Sequence, residues 1–117
     1  MNNNPSVLSV STDVLEKMTE IAAKEIEGVA GLAKKAIDIR KTVKNRHPFK
    51  AVKVESINGA LKINVYICVE QDVIVKDVAE KVQANVKEKI QTMTNTAVTK
   101  VNVYVSDVKI SAAETAQ

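Results

Sequence analysis

The stretch that decides the fold is residues 52–69, VKVESINGALKINVYICV. Apolar and polar residues alternate on both sides of Asn58-Gly59, a dipeptide typical of two-residue hairpin turns because both turn positions need a positive φ. A two-residue turn also fixes the pairing register. The resulting pairs are Ile57 with Ala60, Glu55 with Lys62, Val54 with Ile63, and Val52 with Val65. Since apolar residues face apolar ones and an acid faces a base, the sequence predicts an antiparallel hairpin with one apolar face.

Two amphipathic helices are predicted around this hairpin. The first covers about residues 12–27 and begins after Ser11, whose hydroxyl can cap the free N–H groups. The second carries an apolar stripe over residues 75–93, with Asp72 as a candidate cap and Asn95 as a left-handed stop.

Period-two alternation predicts two further strands. One lies at residues 37–43 and is broken by Asn45-Arg46-His47-Pro48. The other covers residues 98–110, where the apolar residues change parity part-way along. That change predicts a β-bulge or bend near Ser106-Asp107.

The element order α-β-β-β-α-β predicts an α+β two-layer fold, with two helices packed on one face of a four-stranded mixed sheet. A length of 117 residues, 45% of them hydrophobic, is typical of one globular domain. We predict one domain over residues 1–110, with an ordered core at about 10–110 and a flexible tail at 111–117. The single cysteine, which cannot form an internal disulfide, favours a cytoplasmic protein. The sequence shows no secretion signal and no apolar run of membrane-spanning length.

Positive charge is concentrated in residues 34–53, where eight basic residues accompany a single acid, Asp38. The basic residues are Lys34, Lys35, Arg40, Lys41, Lys44, Arg46, Lys50 and Lys53. Such a segment favours an anionic partner, which could be an acidic protein surface, lipid headgroups or nucleic acid. A solvated basic strand and loop is the alternative interpretation.

The sheet face that points away from the helices is a second candidate surface. It is predicted to carry Lys62, Asn64, Tyr66, Cys68 and Glu70, joined by Asn102 and Tyr104. Tyr66 and Tyr104 are the candidate contact residues because tyrosine is enriched at protein interfaces. An uncovered sheet face favours self-association or a protein partner, although an ordinary amphipathic outer face would show the same pattern.

The reactive side chains argue against catalysis. His47, the one histidine, lies among basic residues without an acidic neighbour to orient it. Cys68, the one cysteine, lies mid-strand, where a small packing residue is the simpler interpretation. No P-loop, dinucleotide-binding glycine motif or zinc spacing occurs. We therefore predict no enzyme activity, no catalytic, cofactor-binding or metal-binding residues, no cofactor and no small-molecule substrate.

Gly28-Val29-Ala30-Gly31 matches the GxxG pattern that clamps a nucleic-acid backbone in KH domains. A KH loop joins two helices, whereas this stretch connects a helix to a strand and contains no basic residue. We interpret it as a helix C-cap followed by a tight turn. Nucleic-acid binding by a KH-like regulatory protein, through the basic residues of 34–53, stays open as the alternative function.

Five segments, in this order and spacing, resemble the alkaline shock protein family of Gram-positive bacteria, also called envelope stress response proteins. The segments are VSTDVL at 10–15, EGVAG at 27–31, AVKV at 51–54, DVAEKVQ at 77–83 and VNVYV at 101–105. Two departures stand out. Glu70-Gln71-Asp72 replaces the family's common Tyr-Gly, and Thr94-Asn95 replaces its Thr-Gly.

The resemblance implies a cytoplasmic, non-catalytic factor linked to envelope homeostasis, to alkaline or general stress and, in some members, to fatty acid synthesis. It brings no catalytic residues to this chain. With the open sheet face, it predicts a protein-interaction factor that self-associates or docks to another protein, with any membrane contact peripheral and made through a partner.

Overall fold

The computed structural model describes residues 10–34 and 49–110. The elements are α1 (Thr12–Lys24), β1 (Val29–Leu32), β2 (Val52–Ile57), β3 (Ala60–Glu70), α2 (Val75–Thr94) and β4 (Val98–Lys109). The predicted order and the α+β class are confirmed. The strand predicted at 37–43, the break at 45–48 with His47, and the tail at 111–117 lie outside the described residues.

β3 is the centre of a mixed sheet. β2 pairs antiparallel with its first half, and β1 pairs antiparallel with its second half, where Leu32 lies opposite Ile67. β4 pairs in parallel along the length of β3. Each residue of β3 has room for one neighbour on each side, so β1 and β2 lie end to end along one edge and β4 lies along the other.

The hairpin is confirmed at every pair predicted from its turn. Asn58 and Gly59 both have positive φ, at 53° and 82°. The bulge predicted near Ser106-Asp107 is also confirmed, because Val105 lies opposite Ile67 while Asp107 lies opposite Cys68. One extra residue at this point explains the change of parity.

The core lies between the sheet and both helices. β3 contributes five buried residues to it: Leu61, Ile63, Val65, Ile67 and Val69. Four α2 residues pack against them at i+4 spacing: Val78, Val82, Val86 and Ile90. α1 adds Leu15, Ala22 and Ala23 to the same cluster. Because these residues form one cluster, both helices lie on one face of the sheet, as predicted.

The first helix is shorter than predicted, and residues 29–31 are not a turn. α1 ends at Lys24, and the chain enters β1 at Val29. The carbonyl of Gly28 accepts a hydrogen bond of 2.8 Å from the Glu70 N–H, so sheet pairing begins at this glycine. The interpretation of Gly28-Val29-Ala30-Gly31 as a helix C-cap plus a tight turn is therefore wrong, because the C-cap is Glu25 and residues 29–31 belong to β1.

The entrance of the second helix also differs from the prediction. Ile74 is the N-cap residue, and no side chain caps the helix there. Asp72 instead lies in the preceding turn with φ at 68°, a conformation that Asp tolerates better than most residues. Asn95 ends the helix in the left-handed conformation with φ at 56°, as predicted. Met93, which we placed in the apolar stripe, is 59% exposed because the buried line continues through Ile90 to Thr94.

Candidate interaction surface

Alternate residues of β2, β3 and β4 form the sheet face that points away from the helices, which we call the outer face. Its residues are Lys53, Glu55, Ile57, Lys62, Asn64, Tyr66, Cys68, Glu70, Lys100, Asn102, Tyr104, Asp107 and Lys109. Both helices lie on the opposite side, and the β3 residues from 62 to 68 on this face are partly exposed. The set predicted from the alternation of β3 and β4 is confirmed as one surface.

A row of aromatic rings crosses the outer face. Tyr66 and Tyr104 lie opposite each other in register, and their rings stack with centroids 4.6 Å apart and planes 21° apart. Phe49 meets Tyr66 edge-on with the centroids at 5.4 Å. These are the three aromatic residues of the whole sequence. The structure therefore gathers the chain's aromatic side chains on this face and leaves the core aliphatic.

Backbone pairing holds Tyr66 at the point where β1 and β2 meet. Its carbonyl accepts from the Ala33 N–H at 2.9 Å, and its N–H donates to the Ala51 carbonyl at 2.7 Å. Both bonds lie on the same edge of β3, since the N–H and C=O of one strand residue point the same way. The aromatic row is therefore anchored to the central strand, although Tyr104 keeps 41% of its surface exposed.

Charged side chains lie on both sides of the row, toward the two ends of β3. Lys62 lies opposite Lys100 at one end, and Glu70 lies opposite Lys109 at the other, with Asp107 beside Cys68. Between the lysine end and the tyrosines, the Asn102 side-chain amide donates to Asn64 Oδ1 at 2.7 Å. The outer face therefore has an apolar centre, a hydrogen-bonded pair next to it and charges at both ends.

Cys68 is partly buried on this face. Burial raises the pKa of its thiol, and the negative charge of Asp107 raises it further. A raised pKa keeps the thiol protonated near neutral pH, and the protonated form is a weak nucleophile. The environment of Cys68 thus agrees with the interpretation of this residue as a packing residue.

The structure describes three of the eight basic residues in segment 34–53, namely Lys34, Lys50 and Lys53. Lys35, Arg40, Lys41, Lys44 and Arg46 lie outside the described residues. Lys50 pairs with Glu16 of α1 at 2.9 Å, and the hydrogen bond to this carboxylate raises the pKa of Lys50. Lys53 points to the outer face and pairs with Glu55 at 3.7 Å. Lys34 is exposed. Two of these three described cations are therefore offset by carboxylates of the same chain.

An open depression of about 380 Å³ lies beside α1. It is lined by Asp13, Glu16, Lys17, Glu20, Leu32, Lys50, Ala51 and Val52. Sequence reasoning missed this groove, because the acidic side of α1 reads as a solvated helix face. Ion pairs of Glu16 with Lys50 and of Glu20 with Lys17 offset part of its negative charge.

Residues 10–34 and 49–110 contain neither a cluster of metal ligands nor a helix suited to span a membrane. No group of three or more His, Cys, Asp or Glu side chains lies close enough together there to hold a metal ion. Neither α1 nor α2 is long and apolar enough to cross a membrane.

Comparison with known proteins places the chain in a family. The model of the alkaline shock protein 23 family, which is described by a "cell envelope-related function", matches residues 1–110. The chain belongs to the alkaline shock protein family. This match confirms the resemblance drawn from the five sequence segments and connects the chain to the cell envelope.

Two relatives come from Gram-positive bacteria, and neither name states a function. The uncharacterized protein Spy1614 of Streptococcus pyogenes is 26% identical over 113 residues, which are 94% of this chain and 93% of that protein. The uncharacterized protein YqhY of Bacillus subtilis is 27% identical over 99 residues, which are 84% of this chain and 73% of that protein. The similarity to these relatives therefore runs over nearly the whole chain.

Solved structures support the fold. The copper form of the MamM CTD superposes with a TM-score of 0.59 at 17% identity, covering 85% of this chain and 88% of that one. A MamM variant reaches a TM-score of 0.61 at 15% identity, covering 88% and 91%. At such low identity the likeness shows a shared α+β architecture, and the copper belongs to the MamM domain.

This member of the alkaline shock protein family lacks the common family glycine at two positions, and a left-handed residue lies at or next to each of them. Asp72 and Asn95 lie at or next to the two departing positions, and both have positive φ, at 68° and 56°. Asp and Asn are the non-glycine residues that adopt this conformation most readily. The departures therefore keep the backbone turns at both ends of α2.

Proposed function

We propose that this chain is a non-enzymatic, cytoplasmic protein-interaction factor in cell-envelope homeostasis and in the response to alkaline or general stress. It binds its partner through the outer face, and any membrane contact is peripheral and made through that partner. The observation that carries the proposal is the aromatic row of Phe49, Tyr66 and Tyr104 on the partly exposed outer face. Burying an aromatic row between polar groups is a common way for an interface to combine affinity with orientation.

Among the described strands β4 forms one edge of the sheet, and this edge is a weaker candidate than the outer face. β4 carries register shifts that insert Thr99 and Ser106, and such bulges disrupt pairing with an added strand. The Gln83 side chain donates to the Val101 carbonyl at 3.0 Å, which occupies a backbone acceptor of β4. Lys100 and Lys109 add charge to the same strand. These features oppose strand addition and leave the outer face as the favoured surface.

The chemistry of the described residues supports a binding role over catalysis. Cys68 has a raised pKa and therefore low nucleophilicity. The acidic groove beside α1 is open to solvent, whereas most small-molecule sites enclose their ligand. Nothing in either feature pairs a nucleophile with a base, which acyl- or group-transfer chemistry requires.

Site-specific photo-crosslinking in the native host tests the proposal. A photoreactive amino acid is placed at Tyr104, which is 41% exposed on the outer face, and in a matched strain at Met93, which is 59% exposed on α2. We expect an envelope-associated or stress-response protein, or a second copy of the chain, to be crosslinked from position 104 and not from position 93. The same product should be lost when Tyr66→Ala is added.

The control for folding is the circular dichroism spectrum and urea midpoint of Tyr66→Ala, compared with Lys87→Ala on the exposed side of α2. Equal crosslinking from positions 104 and 93, or none from 104 under alkaline stress, contradicts the proposal.

Single-stranded nucleic acid is a second candidate partner, favoured by the position of Lys53, Lys62 and Lys100 on the same face as the stacked tyrosines. Aromatic side chains on a sheet can stack with bases while lysines contact phosphates. Against this, Tyr66 and Tyr104 stack on each other, and Glu55, Glu70 and Asp107 share the face. A salt titration of fluorescent RNA and DNA decides the matter, because phosphate contacts make affinity fall steeply with salt. An absence of binding at low salt removes this candidate.

A further inference from the structure

We propose that the occupant of the outer face is a second copy of this chain, seated face to face about a two-fold axis that runs across the strands at the Tyr66–Tyr104 row. This inference rests on the proposed function and names its partner. The observation that carries it is the arrangement of charges along β3. Lys62 and Glu70 carry opposite charges at equal distances on either side of Tyr66, so two copies related by the two-fold axis place each lysine over a glutamate.

Along the outer face of β3, Tyr66 lies midway between Lys62 and Glu70, four residues from each. Because a strand rises about 3.3 Å per residue, each charge lies about 13 Å from the tyrosine, in opposite directions. A two-fold axis perpendicular to the strands and within the interface reverses the strand direction of the second copy. It therefore places Lys62 of each chain over Glu70 of the other, with the tyrosine rows of both chains at the axis.

The same operation arranges the other rows of the outer face. The Asn64–Asn102 pair of one chain lies over Cys68 and Asp107 of the other, so that amide groups meet a carboxylate. It also brings Lys100 over Lys109 of the second copy, which is a like-charge match. The arrangement therefore predicts opposite effects of charge reversal. Reversing the charge of Lys109 should tighten the dimer, whereas reversing the charge of Lys62 or Glu70 should weaken it.

The area of the face sets the expected strength. Three strands about 4.8 Å apart and eight residues of about 3.3 Å give a projected face of roughly 400 Å² per chain. This falls at the lower end of specific interfaces. We therefore expect a dimer that forms in the micromolar range and depends on charge complementarity, and thus on ionic strength.

The test measures molar mass by sedimentation equilibrium of the full chain between 1 and 300 μM (roughly the range that a small interface requires). The wild-type chain should move from its monomer mass of 12.7 kDa toward twice that value. Lys62→Glu and Glu70→Lys should each weaken the dimer at least tenfold, because each creates two like-charge contacts per dimer. The matched reversal Lys87→Glu, on the exposed side of α2, should leave the dimer unchanged.

Mixing the two weakened variants gives the decisive result. A Lys62→Glu chain with a Glu70→Lys chain restores two opposite-charge contacts, so the equimolar mixture should dimerise while each variant alone stays monomeric. The double variant Lys62→Glu/Glu70→Lys should dimerise with itself for the same reason. Restored association also shows that both variants are folded, because a chain that failed to fold would not recover.

The Lys109→Glu chain should dimerise more tightly than the wild-type chain, because the change replaces the like-charge contact between Lys100 and Lys109 with an opposite-charge contact. A wild-type chain that stays monomeric to 300 μM, or a mixture no more associated than its components, overturns the inference. Crosslinking of a different protein from position 104 in the host would then still support the proposed function, so the two proposals fail separately.

Discussion

The two faces of β3 carry alternate residues of the same 11-residue strand, yet they differ in almost every property. The inner face is aliphatic, and Ile63, Val65, Ile67 and Val69 have no exposed surface. The outer face has no aliphatic side chain between Lys62 and Glu70; it presents an amide, a phenol and a thiol, all partly exposed. Residue parity on this one strand therefore separates the buried core face from the partly exposed face that we propose for binding. Changes to odd-numbered residues should act on folding, whereas changes to even-numbered residues should act on association.

The largest expected effect is the difference in stability loss between Ile67→Ala and Cys68→Ala, which change adjacent residues on opposite faces of β3. Ile67→Ala removes a fully buried side chain and should lower the free energy of unfolding by about 2–5 kcal/mol. Cys68→Ala removes a smaller, partly exposed side chain and should cost less than about 1 kcal/mol. Urea denaturation, with both changes made in the Lys62→Glu variant to limit dimer formation, measures the difference. Equal losses at the two positions would contradict the division of roles between the faces.

The inner layer should also be sensitive where β1 begins beneath α2. A Cβ at Gly28 would lie 2.8 Å from Val78 Cγ2, and this residue has φ at 101°. Gly28→Ala should therefore cost roughly 2–4 kcal/mol, combining backbone strain with overpacking. Gly59→Ala is the matched control, because it also has a positive φ but meets no atom within 4 Å.

A double variant sharpens the Gly28 test. Val78→Ala removes the atom that a new Cβ would meet, so Gly28→Ala/Val78→Ala should lose less stability than the sum of the two single losses. Strict additivity in thermal or urea unfolding would show that the contact between Gly28 and Val78 does not limit this site.

A smaller effect is expected from the hydrogen bond on the outer face. Asn102→Ala removes the 2.7 Å bond to Asn64 Oδ1 and should cost about 0.5–1.5 kcal/mol. The loss stays modest because both amides are partly exposed and water can replace the missing partner. Lys87→Ala, on the exposed side of α2, is the control and should change the urea midpoint little. A loss as large as that of Ile67→Ala would mean that the outer face contributes to the core.

The smallest expected effect is a change in the alkylation rate of the Cys68 thiol on the outer face. Burial and Asp107 both raise the pKa of Cys68, so its thiolate fraction near neutral pH is below that of a free cysteine. Asp107→Asn removes the charge contribution and lowers this pKa, so iodoacetamide should alkylate Cys68 a few-fold faster. Asp77→Asn, an exposed carboxylate on α2, should leave the rate unchanged. An unchanged rate in Asp107→Asn would show that burial dominates the shift.

Sequence patterns predicted much of the fold, and where they failed the reason is physical. The hairpin and the β4 bulge were predicted because both are recorded in local alternation and in turn chemistry at Asn58-Gly59. β1 was missed because it is four residues long, contains glycine, and exists through its pairing with β3 residues almost forty positions away. The Asp72 cap was wrong because a residue that favours caps also favours left-handed turns.

For the candidate site, parity placed Tyr66 and Tyr104 on one face, and the structure confirms it. Phe49 was missed, since it precedes β2 and follows no alternation. Pairing of Lys50 with Glu16 and the groove beside α1 were also beyond sequence reasoning, because both join segments far apart in the chain.

By itself, the sequence determined the two helices, the hairpin and its register, the bulged last strand, the two faces of β3 and the membership in the alkaline shock protein family. These properties follow from periods of two and 3.6 residues, from turn chemistry and from segment similarity, all of which are local. The tertiary structure alone decided that β1 and β2 share one edge of β3 and that the three aromatic residues form one row between opposite charges. Those features depend on non-local pairing, which is determined by which partner strands bury the apolar face best, and no single segment specifies it.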